Sequence, residues 1–474
     1  MMVASGTGTT GRSQGRRGRK DGGLSSEAAF WLFVGFAAIV MLSGGGSRAD
    51  IASLGPLRAL AAVVLAFAVW FQTGRSVRRV IVPLVALLAL TVLIALQLVP
   101  LPPSWWSALP GREPIARLGE LAGVADAWRP LTFSPMKTAN SLASLVVPLA
   151  GLMLVALLDD THWRRLPWVF IAAGAASALF GIAQILLPGA NGLFLYDITN
   201  EASAVGLFSN RNHNAMFLSV ALLFAVIQLE RTRWGSMTPD VLMAGIGALV
   251  IFAGILVNAS RSGLVGLGLV GLIFAIRALL QWQADRRAGQ RGVPLRVLAG
   301  GAIGLVSAAL VAAFAALGRS PAVERLLEHD PGQDLRVRAL PTVLDMLRDF
   351  QPLGTGFGAF EYAFRVREPG EMLGPRYFNN VHNDWLQLPI EGGIPATILG
   401  LVLLGLFAMR CWRLSRLGSA GGAMQHNAVL GALALILLLI ASIIDYPLRT
   451  PSIMLLAVVA AAMVFKPLAT SPQG

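Results

Sequence analysis

The chain is short of charge, of lysine and of cysteine. Only 13% of its 474 residues are Asp, Glu, Lys or Arg, about half the share of a soluble domain. That excludes an ordinary soluble fold, a coiled coil and an intrinsically disordered chain. Lysine occurs only as Lys20, Lys137 and Lys466, so the formal net charge of +13 is carried by arginine. These arginines are scattered between apolar runs rather than gathered on one face. They therefore speak for membrane topology and against a nucleic-acid partner. Cys411 is the single cysteine, which excludes an intrachain disulfide and a cysteine-based metal site.

What the chain has instead is apolar residues, 55% of the total at a mean hydropathy of +0.67. They come in bilayer-length runs, and twelve spans are expected: 28–44, 57–72, 80–99, 141–158, 166–187, 214–229, 241–258, 262–280, 297–317, 394–409, 427–444 and 451–465. Several lie near the lower limit of about 17 residues, so tilt or local thinning is expected. This is an all-α polytopic membrane protein. Residues 1–27, with Arg12, Arg16, Arg17, Arg19 and Lys20 among Gly and Ser, read as a disordered basic tail. Residues 28–199 form an N-terminal group of membrane helices, and 451–474 a last helix with a short tail. A cleaved signal peptide is the competing reading of 28–44, but no convincing small-x-small site follows it.

The tail and the even-numbered loops together hold 21 basic residues. The other side holds 9, once the long loop 318–393 is set aside as the positive-inside rule requires. Both termini are therefore expected in the cytoplasm. Segments 100–140, 188–213 and 318–393 then lie outside. Trp105 and Trp106, beside prolines, read as an interfacial anchor.

The middles of the spans carry almost no ionisable residues, which argues against an ion-coupled transporter. Polar residues gather instead at outer helix ends: Asn210 to Asn214, Asn258 to Gly263, Asn379 to Asp384 and Asp445 to Arg449. The charge count puts all four on one side without having used them. Spans six and eight start on that side, with Asn212 or Asn214 and Ser260 or Ser262 as N-caps. Asp384 to Gln387 resembles a capping box, opening a short helix that Gly392-Gly393 ends, with Pro389 placed to kink it. A cationic or titratable residue beside free helix N–H groups favours an anion, above all a phosphate. Arg211 and Arg261 suit it through their planar forks. His382, beside a helix N-terminus, is expected to stay neutral and able to accept a proton.

Each residue also has a plainer reading. Arg211 and Arg261 taken singly are as consistent with orienting their helices at the interface. His213 reads as a cap or a supporting partner, His382 alone as a structural histidine, and Arg336 as part of a solvated amphipathic stretch. Gly354-Thr355-Gly356-Phe357-Gly358 reads as turn residues rather than a nucleotide loop, since neither the strand nor the helix such a loop needs flanks it. The co-location of the clusters favours a functional site.

These clusters, in this order, resemble the O-antigen ligase/polymerase superfamily of bacterial membrane glycosyltransferases. The matching pieces are Gly206 to His213, Ser260-Arg261-Ser262-Gly263, Arg336 leading to Pro352 to Gly358, His382 to Gln387 with Glu391 to Pro395, and Asp445 to Arg449. The resemblance covers about residues 200–450 by motif, and the whole chain by twelve spans with one large periplasmic loop before the tenth. Trp385 stands where Tyr is common, and Pro389 where an ordinary helix former is expected. The resemblance implies a transferase of the bacterial inner membrane that needs neither metal nor cofactor. It would move a glycan, with inversion, from a polyprenyl pyrophosphate, usually undecaprenyl, to an acceptor hydroxyl on the periplasmic face. The acceptor is a glycan, lipid A-core or a protein. Arg211 and Arg261 would hold the pyrophosphate and His382 would activate or position the acceptor. His213, Arg336, Asn383, Asp384 and Asp445 would support them. The alternative from a different class is a non-enzymatic flippase of lipid-linked oligosaccharide. It requires a basic cavity open to both faces, whereas these residues lie on one.

Overall fold

A computed structural model describes residues 24–187, 189–200, 203–230, 238–287, 335–374, 378–417 and 422–467. The expected ninth span, most of the basic tail and the first part of loop 318–393 lie outside the described residues. Eight described helices are long and apolar enough to cross a membrane, and three more are apolar but shorter. In chain order they are α1 (Ser26–Ser43), α2 (Leu54–Trp70), α3 (Ile81–Leu96), α4 (Pro135–Ala156), α5 (Asp160–Leu186), α6 (Arg211–Glu230), α7 (Pro239–Asn258), α8 (Arg261–Arg287), α9 (Asp384–Arg416), α10 (Gly422–Ile444) and α11 (Pro451–Phe465). Each overlaps one of the expected spans, although α4 and α5 start six residues earlier than expected and α9 starts ten earlier. The only sheet among the described residues pairs β1 (Pro100–Leu101) with β2 (Arg129–Pro130), antiparallel.

Local chemistry sets the starts of the helices. Ser25 accepts the N–H of Ala28, Asp159 those of Thr161 and His162, and Thr238 that of Val241 with Pro239 in the first turn. These side chains satisfy first-turn donors that have no partner within the helix. The most enclosed membrane helix is α6, packed against α5, α7, α8 and α10. Close approach there depends on small residues: a Cβ on Gly174 of α5 would meet Ala221, and one on Gly266 of α8 would meet Ser219. At the periphery α7 and α9 expose Leu242, Ile246, Leu249, Ile398, Leu401 and Val402. Such a surface suits hydrocarbon rather than water.

Hydrogen bonds and an ion pair sort the helix ends into two groups. At one end His162 bonds Ser26 and Glu27 at 2.9 and 2.8 Å, Lys466 meets Asp160 at 2.6 Å, and Asn427 donates to the Trp163 carbonyl at 2.7 Å. At the other, Ser452 N–H donates to the Gly44 carbonyl at 3.1 Å and Ser209 N–H to that of Gly45 at 3.1 Å. Gln97 joins the same end, donating to the Glu391 carbonyl at 3.0 Å and accepting from Phe357 N–H at 2.9 Å. Among the described helices these ties agree with the expected alternation, and the described parts of 100–140, 188–213 and 318–393 that they join lie at the second end.

That end has its own small core, in which Val343, Met346, Phe350, Phe360, Phe364 and Phe378 pack beneath the segment leading to His382. Trp106 corrects the expectation of an interfacial pair. It is only 4% exposed, donates to the Pro130 carbonyl at 3.0 Å and is flanked by Arg112 and Arg129. Only Trp105 is exposed. Arg112 pins this layer to the glycine loop through the Leu131 and Gly354 carbonyls at 2.7 and 3.1 Å. Burial pushes its pKa down to about 10.

Candidate active site

His382 adopts φ +56, a left-handed conformation rare outside glycine. Asn383 follows it in extended conformation and caps α9, accepting the N–H groups of Trp385 at 3.0 Å and Leu386 at 3.2 Å. The cap is thus one residue earlier than a capping box beginning at Asp384 would place it. The helix from Asp384 breaks where the sequence suggested, at Gly393 (φ 62, ψ −161), while Pro389 sits within regular helix. The broken backbone bonds are replaced from the glycine loop. Thr355 and Gly356 N–H donate to the Ile390 and Glu391 carbonyls, both at 2.9 Å, and Ile394 N–H donates to that of Pro352 at 2.8 Å. Gly354, Gly356 and Gly358 all have positive φ, so these are turn residues with a structural partner.

The imidazole of His382 faces the turn between α10 and α11. Its Nδ1 lies 3.4 Å from Asp445 Oδ1, and its ring packs edge-on against Tyr446 with centroids 4.9 Å apart. Asp445 is where three residues converge. Asn212 donates to its Oδ2 at 3.1 Å, and His213 Nε2 stands 3.8 Å from its Oδ1. His213, completely buried, is held on its other side by Thr450 at 3.0 Å. Burial alone would raise the Asp445 pKa, but the two imidazoles facing it hold it well below the usual carboxylate range. Burial, reinforced by the Asp445 carboxylate, pushes the Tyr446 phenol up to about 12 and keeps it protonated.

Arg211 is the first residue of α6 and Arg261 the first of α8, and both side chains are exposed. Asn258 brings these starts together. It ends α7 and donates to the Arg211 carbonyl at 3.0 Å and to that of Ala204 at 2.7 Å. Ser260 caps α8 as expected, accepting Gly263 N–H at 2.9 Å. The cap of α6 is Asn210, which accepts Asn212 N–H at 2.8 Å, and not Asn212 or Asn214. That leaves the Asn212 amide for Asp445, while Asn214 is buried against Ser177 and Ala204. Arg336, on the helix Leu335–Asp349, reaches the Ile444 carbonyl at 3.4 Å, next to Asp445.

Of the residues expected at the site, Arg211, Arg261, His213, Arg336, His382 and Asp445 thus share one end of the bundle. Asn383 acts as a cap. Asp384 engages Arg449 at 3.4 Å and Ser442 at 3.2 Å. Sequence reasoning read Asn212 and Gln387 only as capping residues and gave Tyr446, Arg449 and Glu391 no individual role. All five lie inside the motifs, but no spacing rule shows that they meet. Beside Asp384, Trp385 and Ser442 opens an apolar cavity of about 460 Å³ between α3, α9, α10 and α11, extending down to Phe407, Ala461 and Phe465.

The arrangement offers two exposed guanidinium groups at neighbouring helix starts, a histidine facing a buried carboxylate at 3.4 Å, and an apolar slot between the apolar helices. Residues 246–401 match the model of the O-antigen ligase family. That stretch includes Arg261, Arg336 and His382, while Arg211 and His213 precede it and Asp445 follows it. Among curated proteins, none matches the chain.

Proposed function

We propose that this protein, whose match supports a place in the O-antigen ligase superfamily and a glycosyltransferase-type role in O-antigen assembly, transfers a glycan from a polyprenyl-pyrophosphate donor to an acceptor hydroxyl at the periplasmic face. The observation that carries this reading is the convergence of Asn212, His213 and His382 on Asp445, at the bundle end where Arg211 and Arg261 open their helices. The excess of basic residues on the opposite side supports the periplasmic assignment.

In this reading Arg211 and Arg261 bind the pyrophosphate, each through a planar pair of donors, with helix N–H groups adding positive potential. The apolar cavity receives part of the polyprenyl chain. Asp445 accepts from His382 Nδ1–H and leaves Nε2 as the proton acceptor, the role a carboxylate has beside a catalytic histidine. The gap of 3.4 Å suits a site that tightens when substrate binds. The acceptor oxygen attacks the anomeric carbon, inverting it, as its proton passes to Nε2. The bond from that carbon to the pyrophosphate oxygen breaks, and its electron pair leaves on the polyprenyl pyrophosphate, whose charge the two arginines stabilise.

Arg211→Lys and Arg261→Lys test the donor half. Each keeps the charge and loses the fork, so each should weaken use of the lipid-linked donor by purified protein in detergent about tenfold or more, one charge-assisted hydrogen bond being worth roughly 1.5–3 kcal/mol. Wild-type turnover in both would leave the arginines as residues that merely orient their helices. Detergent also separates the enzyme from a flippase, because translocation has no meaning there while donor consumption does.

A further inference from the structure

The His382 ring faces Asp445 at 3.4 Å, and its unusual backbone is held from the opposite direction. Gln387, fully buried one turn into α9, accepts Val381 N–H at 3.0 Å through Oε1. Its Nε2 donates to Asn380 Oδ1 and to Glu391 Oε1, each at 3.0 Å. Glu391, 1% exposed, also accepts Phe360 N–H at 3.3 Å, and its other oxygen receives Arg449 Nη2 at 2.9 Å. Arg449 lies four residues after Asp445 in the same turn between α10 and α11, and its Nε reaches Asp384 at 3.4 Å. Burial works against the guanidinium's charge, but Glu391 and Asp384 hold its pKa above the usual value.

Resting on the reading of His382 as the base, we propose that Arg449, Glu391 and Gln387 are positioning residues that set the backbone of His382 for transfer. The chain of bonds runs from Arg449 to Glu391 to Gln387 and ends on the N–H of the residue before His382. That N–H would otherwise be unpaired beside a conformation disfavoured for any side chain. The same short turn therefore fixes both halves of the residue, the ring through Asp445 and the backbone through Arg449. Stability alone explains the arrangement poorly, since a buried ion pair is often no more stabilising than apolar residues of equal volume. A relay also gives the Gly393 break a purpose: it frees the first turns of α9 to be aligned by the α10–α11 turn rather than by the membrane part of the helix.

Gln387→Met keeps the volume and removes the bond to Val381; Arg449→Lys keeps the bond to Glu391 and loses the second one to Asp384. In full-length protein in detergent, Gln387→Met should lower kcat for donor consumption by about 10–100-fold, the scale of a small misplacement of a reacting group. The KM for donor should not move, because the pyrophosphate is assigned elsewhere. Arg449→Lys should fall between it and wild type, and serves alone if Gln387→Met does not fold. The second readout needs no turnover. Carbethoxylation of His382 by diethyl pyrocarbonate, measured by mass spectrometry against His426, should change severalfold in the same order. Unchanged His382 reactivity in both variants would overturn the proposal, whatever their turnover. Changed reactivity with wild-type turnover would uphold the relay and remove His382 from the chemistry.

Discussion

At the scale of single residues, the site depends on a histidine in a conformation that costs about 1–3 kcal/mol. Asn383 Oδ1 on the following backbone, Gln387 on the preceding N–H and Asp445 opposite the ring together impose it. One consequence is an inverted order of substitution. Glycine adopts φ +56 freely, whereas alanine in that region costs about 1 kcal/mol or somewhat more. His382→Gly should therefore melt at a higher temperature than His382→Ala in detergent, although both should lose most turnover. The opposite order would mean that His382 is not held in the left-handed region. This feature was not legible in the sequence. Asn379 to Asp384 signalled a polar helix start, but nothing in it singled out the residue with positive φ. Asp445 was legible as a polar residue at a helix end. Its partners were not, because Asn212 and Asp445 are 233 positions apart.

At the scale of elements, the expected spans overlap every described membrane helix, but several helices start earlier than expected, α4 and α5 by six residues and α9 by ten. The errors in the caps were consequential. Asn210, Asn212 and Asn214 are chemically equivalent as caps. Tertiary packing selects Asn210 and releases Asn212 to reach Asp445. The break in α9 was read correctly from Gly392-Gly393, and the glycine loop correctly as turns. That the two belong together appears only in three dimensions. Gly393 occupies a region that is essentially closed to other residues, and a Cβ there would collide with the Pro352 carbonyl. Gly393→Ala should cost about 1–3 kcal/mol from conformation alone, with the collision adding to it. A lowered melting temperature accompanied by lost turnover is expected. A wild-type melting curve would show that the break is dispensable.

At the scale of the whole molecule, hydropathy was sufficient to locate every described membrane helix, because only hydrogen-bonded, apolar segments of that length are tolerated in a bilayer. It could not show how the ends of α6, α7, α8, α9 and α10 converge, since side-chain bonds between distant parts of the chain decide that. The result is a bundle with basic loops at one end and, at the other, two arginines, a buried aspartate and a histidine beside an apolar cavity. The central claim is that His382 takes the proton of the acceptor hydroxyl. It is tested most directly by donor binding and turnover, measured on purified wild-type, His382→Ala and His382→Gln proteins with a polyprenyl-pyrophosphate-linked glycan. General-base catalysis contributes about 10²–10⁴-fold, so both variants should bind donor normally and lose turnover on that scale. An amide can orient a hydroxyl but cannot accept its proton, so near-normal turnover in His382→Gln would contradict the claim.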